Sequence, residues 1–93
     1  MKIEYSPKFI DSFTEIWDFI SKDSKNRADN FKLELKKQIE NLPFMPFKCR
    51  KSIYFDDENI RDLIFKGYTI VYKIDKKADK ILIIGIKKYK KDF

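Results

Sequence analysis

The chain has 93 residues with a single Cys, no His, and 21 Lys and Arg against 15 Asp and Glu, giving a net charge of +6. That length fits one domain, residues 1–93, whose small core buries roughly 60–65% of the unfolded surface, and a composition that is 43% apolar and 16% aromatic argues against disorder. Cys49 alone cannot form an internal disulfide, and the missing His excludes a His/Cys zinc site and any Ser-His-Asp or Cys-His catalytic set.

In chain order, residues 2–5 (KIEY) read as a short strand. Ser6-Pro7 then has the form of a helix start, with Ser as N-cap and Pro at the first helical position. Phe9, Phe13, Ile16, Trp17 and Ile20 trace one face of that helix. The stretch 21–26 (SKDSKN) is expected to turn, with Asp23 or Ser24 capping a second helix from about Asn26 to Leu42. Its stripe is Ala28, Phe31, Leu35, Ile39 and Leu42. Pro43 disfavours helix beyond Leu42, and two amphipathic helices joined by a short turn make an antiparallel hairpin.

Residues 43–51 form an irregular connection, and the remainder is strand-like. Ser52–Phe55 is expected as a short strand, followed by a turn at 56–59. Strands are then expected at Ile60–Lys66, Tyr68–Asp75 and Lys80–Lys88, with Lys66-Gly67 a tight turn in which Gly67 takes positive φ. Gly85 marks a bend or bulge. Short links favour an antiparallel meander, so the fold class is α+β: N-terminal strand, helix hairpin, antiparallel sheet. Ile81–Ile86 is apolar on both strand faces, so the face away from the helices needs cover. Either the sheet curls over its own residues, or Val71, Leu82 and Ile84 belong to a docking face for another chain.

The basic excess suits an acidic partner, although a generally Lys-rich proteome would also produce it. Lys48, Arg50 and Lys51 lie on the connection into the sheet, Arg61 lies on the first long strand, and Lys87, Lys88, Lys90 and Lys91 bracket Tyr89. Cations with a neighbouring Tyr can contact phosphates and stack on a base, while a solubilising charged end is the alternative. Arg61 and Asp62 are adjacent on a strand, so they point to opposite faces and are not expected to pair. Asp56, Asp57 and Glu58 match no metal loop, and neither a metal nor a cofactor is expected. MKIEYSPKF lacks an apolar signal segment, which makes a cytoplasmic protein without membrane partners the expectation.

Two stretches resemble the RelE/ParE superfamily of bacterial toxins. One is Ile60–Tyr72 (IRDLIFKGYTIVY), with an Arg, a Leu two residues on, and a Tyr-led strand ending in Tyr; the other is Ile81–Ile86 followed by basic residues. The Ser-Pro start, the helix pair and Leu42-Pro43 agree with it. The resemblance implies the toxin of a type II toxin–antitoxin module, neutralised by a cognate antitoxin that wraps around it, with Val71, Leu82 and Ile84 as candidate antitoxin contacts. ParE-like members poison DNA gyrase, whereas RelE-like members cleave mRNA in the ribosome. Lys48, Arg50, Lys51, Arg61, Lys87, Lys88, Tyr89 and Lys90 are the candidate target contacts, and Arg50, Arg61 and Tyr89 the candidates for catalysis in a metal-free nuclease. Ribosome-dependent members commonly carry Arg where this chain has Thr69, and His or Arg where it has Lys87-Lys88-Tyr89; the spacing of Arg61 before Gly67-Tyr68 is closer to ParE-like members. Gyrase inhibition is therefore the expectation, with the mRNA endonuclease and an inactive binding module as alternatives.

Overall fold

A computed structural model of the protein describes residues 1–88. Tyr89, Lys90 and Lys91 lie outside the described residues. The elements are β1 (Lys2–Tyr5), α1 (Pro7–Asp23), α2 (Lys25–Glu40), a 3-10 turn (Leu42–Phe44), β2 (Arg50–Lys51), β3 (Ile60–Phe65), β4 (Tyr68–Asp75) and β5 (Lys80–Lys88).

Ser6 caps α1, its hydroxyl accepting from the Phe9 N–H at 3.0 Å. The expected turn at 21–26 shrinks to one residue. Ser24 ends α1 through its N–H on the Ile20 carbonyl and starts α2 by accepting from the Arg27 N–H. The second helix stops at Glu40, two residues short of expectation, because Leu42-Pro43 closes a tighter 3-10 turn.

The described residues form a sheet in the order β1-β5-β4-β3-β2. β1 pairs in parallel with β5, with Ile3 beside Ile81, and the other pairings are antiparallel. Lys66 (φ 45°) and Gly67 (φ 83°) form the two-residue hairpin between β3 and β4. Both have positive φ, as a type I′ turn, which matches strand twist, requires. The β4–β5 register jumps from Val71 opposite Gly85 to Tyr72 opposite Ile83, so Ile84 is the extra residue of a bulge. Its carbonyl receives the Ser6 hydroxyl at 2.6 Å, which ties the start of α1 to the middle of β5.

Directly opposed residues share a sheet face. Ile70, Tyr72 and Ile74 of β4 lie with Ile81, Ile83 and Ile86 of β5 under the helices, packed against Phe9, Phe31, Leu35 and Ile39. Aromatic contacts run from Tyr5 through Phe9 and Phe13 to Phe31, which meets both Phe65 and Tyr68 beside the hairpin. The opposite face carries Ile60, Asp62 and Ile64 of β3, Thr69, Val71 and Lys73 of β4, and Leu82 and Lys87 of β5.

Candidate functional site: the loop-covered face of the sheet

The expected strand Ser52–Phe55 is not a strand, and the reason lies in one buried carboxylate. The β2–β3 ladder runs through Arg50 and Lys51, and the Ser52 N–H still reaches the Ile60 carbonyl at 2.8 Å. At Ile53 the amide leaves the ladder and donates to Asp62 Oδ2 at 3.2 Å. The same oxygen receives the Arg50 guanidinium at 3.4 Å, and the Asp62 side chain is 0% exposed. Tyr54 donates its N–H to the Ser52 hydroxyl, and its ring lies 3.8 Å from the Lys87 ammonium on β5. The segment therefore crosses from β3 to β5 above Thr69 and Val71, which accounts for their burial on a face with no helix.

This crossing divides the predicted cations. Arg50 and Lys87 share the loop-covered face. Lys51 and Arg61 oppose one another on the helix-side face, and Lys88 opposes Tyr68 there. Lys48 stands exposed on the connection into β2. Arg61 is turned inward and only 16% exposed, pairing with Glu58 at 3.6 Å. Its Nε donates to the Glu58 carbonyl, its Nη1 to the Cys49 carbonyl, and its guanidinium stacks on Phe47. Asp62 pairs with Arg50 and not with Arg61, as the opposite orientation of neighbouring strand residues requires. Lys51 is engaged by Asp56 and Glu58; the hydrogen bond it donates to Asp56 first, then the charge of Glu58, holds its ammonium above the ordinary lysine value.

Tyr72 lies beneath this region on the helix side, fully buried, with its hydroxyl donating to the Pro46 carbonyl at 2.7 Å. Burial first, then hydrogen bonding and charge at Cys49, push that hydroxyl far above the ordinary phenol value, against a smaller opposing pull from Arg61. It stays protonated and acts as a strut under the 43–49 connection. Of the candidate antitoxin contacts, Val71 is covered by the crossing segment, whereas Leu82 and Ile84 are half-buried along β5.

A second apolar surface lies on the helical side. Tyr5, Phe9, Ile10, Phe13, Leu35 and Ile39 line a groove of about 270 Å³ between β1 and the two helices, with Lys32 and Lys36 at its rim. Among the described residues, no helix is long and apolar enough to cross a membrane.

Over residues 3–93 the sequence matches the family described as ParE toxin of type II toxin-antitoxin system, parDE. The chain belongs to the ParE toxin family. It is thus the toxin component of a type II toxin–antitoxin module. No curated protein sequence matches it. Its fold is similar to that of the chromosomal ParDE toxin–antitoxin system of P. aeruginosa, with a TM-score of 0.75, 13% identity, and 97% of each chain covered. It is similar also to a mutant E. coli RelE toxin in complex with an antitoxin RelB peptide, with a TM-score of 0.71, 12% identity, 97% of this chain and 84% of that one. Isolated E. coli RelE gives a TM-score of 0.62 at 13% identity, with 98% of this chain and 86% of that one covered.

Within this ParE-family toxin, the residues that shape the covered face went unread in the sequence. Asp62 was legible only as an acid next to Arg61 in the strand IRDLIF, and neither charge there announces its burial. Thr69 gave no signal either; neither its hydroxyl nor Asp62 Oδ1 finds a hydrogen-bond partner among the described residues.

Proposed function

We propose that this ParE-family toxin acts by binding a macromolecular target, DNA gyrase, and that an antitoxin neutralises it by covering its apolar surfaces. The observation that carries the target assignment is the burial of Thr69. At the position where ribosome-dependent relatives commonly present an Arg, this chain has a small residue sealed beneath the 52–55 segment. General acid–base cleavage of RNA needs a group that exchanges a proton near neutral pH. Tyr72 is held protonated and Lys51 is held as a committed cation. Arg61 is fastened to Glu58, Cys49 and Phe47. The cations that stand out, Lys87 and Lys88 among them, supply charge for attraction to an acidic partner.

Support for an antitoxin partner comes from the groove at Tyr5, Ile10 and Ile39, from partly exposed Leu82 on the other face, and from partly exposed Ile84 at the β5 bulge. These surfaces lie on opposite sides of one thin sheet, which suits a partner that wraps. The Lys32 and Lys36 rim favours acidic flanks on its apolar segment. In the similar E. coli complex, RelE is held by an antitoxin peptide.

Induced expression in a bacterial host, with DNA-damage and translation reporters, tests the target. Filamentation with a DNA-damage response is expected, and a rapid stop in translation with cut mRNA would overturn gyrase in favour of the nuclease. Leu82→Asp is expected to weaken antitoxin binding at least tenfold by calorimetry, with circular dichroism as the folding control. Unchanged affinity in a folded variant would remove β5 from that interface.

A further inference from the structure

The segment that crosses the sheet face does more than cover Thr69 and Val71. Ile53 is 62% exposed and Phe55 44%, and Ile64, across Thr69 from Lys87, is 42% exposed. Ile64 thus stands out on the face that carries Arg50, Lys73 and Lys87, and Ile53 and Phe55 stand exposed on the segment that crosses it. Acidic groups around them are already engaged. Asp62 is buried against Arg50, and Asp56 and Glu58 hold Lys51. Asp57 accepts from the Asn59 N–H, and Glu4 pairs with Lys80 at the far edge. The face therefore presents an apolar centre with a cationic border.

We propose that Ile53, Phe55 and Ile64, bordered by Arg50, Lys73 and Lys87, form the surface by which the toxin grips its target, and that the target presents there an acidic protein surface with an apolar centre. The proposal rests on the toxin reading given above and adds to it the place and chemistry of recognition. A protein fits better than a nucleic acid for two reasons. Base recognition uses open aromatic faces, and the Tyr54 ring has the Lys87 ammonium 3.8 Å from its centre. Of the three exposed side chains only Phe55 has a π-face to offer a base and Ile53 and Ile64 have none, whereas an apolar centre inside a polar rim is the usual anatomy of a protein interface. Asp62 acts as the positioning residue: by taking the Ile53 N–H it holds the segment out of the ladder at the point where Ile53 stands exposed.

The decisive experiment is a double variant, Ile53→Ser with Phe55→Ser, compared with the wild-type chain. Both side chains are exposed, so the melting temperature is expected to hold. Growth-arrest potency on induced expression should fall at least tenfold, with antitoxin affinity within about threefold of wild type and affinity for a single-stranded RNA oligonucleotide unchanged. Lys87→Glu should reduce potency in the same direction, and a folded Lys87→Glu chain of full potency would remove the cationic border. Full potency in the folded double variant would overturn the surface assignment while leaving the toxin reading intact. An equal loss of antitoxin affinity would hand the ridge to the antitoxin, and an equal loss of RNA affinity would hand it to a nucleic acid; either overturns the proposal. A wild-type chain that arrests nothing sinks the toxin reading itself, and the target surface with it.

Discussion

The two faces of the sheet are covered by different means. Under the helices, Ile70, Ile74, Ile81 and Ile83 meet Phe9, Phe31, Leu35 and Ile39 in a continuous apolar core. On the other face, one segment without regular structure crosses the strands, held by the Asp62 carboxylate, the Ser52 hydroxyl and a Lys87–Tyr54 contact. The first cover is many weak contacts summed over area, and it fails gradually. The second is a few directional contacts, so each partner removed loosens the segment in a discrete step. A toxin with one rigid side and one latched side can keep its fold while its binding surface is reshaped by single substitutions.

Substitutions on each side separate these behaviours. The largest loss is expected for Leu35→Ala, which removes a side chain only 2% exposed from the centre of α2. It should cost about 2–5 kcal/mol by denaturant unfolding, as large-to-small core changes do. Asp62→Ala comes next. It leaves the Ile53 N–H and the Arg50 guanidinium without this acceptor, at about 1–3 kcal/mol because Arg50 is partly solvated. Its signature is local: the Ile53 amide should exchange faster while helical circular dichroism holds, and an unchanged exchange rate would mean that the latch lies elsewhere.

Tyr72→Phe is smaller, about 1 kcal/mol for one hydrogen bond to the Pro46 carbonyl. It carries a pH test. Because the folded state raises the Tyr72 hydroxyl above the ordinary 10.0, the unfolded chain releases that proton first as pH rises. Its contribution is fully present below pH 10.0 and is lost progressively above it. Wild-type stability should therefore fall on the alkaline side, and the Phe variant should show a shallower fall. The least effect is expected for Glu34→Gln, which breaks the ion pair from α2 to Lys66 at the hairpin tip. Both side chains are about half exposed to water, so the melting curve should move by no more than about 0.5 kcal/mol.

Elements written in local chemistry were readable from the chain. Ser6-Pro7 starts a helix, Lys66-Gly67 turns a hairpin, and the Ala28-Phe31-Leu35-Ile39 stripe faces a core, because each depends on neighbours within a few residues. The cationic site was only partly legible. Residue type placed Arg50, Arg61 and Lys87 among the candidates, but alternation on paired strands sent Arg61 and Arg50 to opposite faces. Glu58, Cys49 and Phe47 then claimed Arg61.

The sequence by itself determined an α+β domain with a helix hairpin, a strand-rich second half and a positive charge excess, since periodicity, caps and turn residues act over short range. Only the tertiary structure decided that β1 lies parallel to β5, that Ser52–Phe55 crosses the sheet instead of extending it, and which cations face outward. Those outcomes depend on partners distant in the chain: a Ser6 hydroxyl on the Ile84 carbonyl, an Asp62 carboxylate on the Ile53 amide, a Lys87 ammonium on the Tyr54 ring. Such pairings become available only once the strands are side by side, and no local pattern records them.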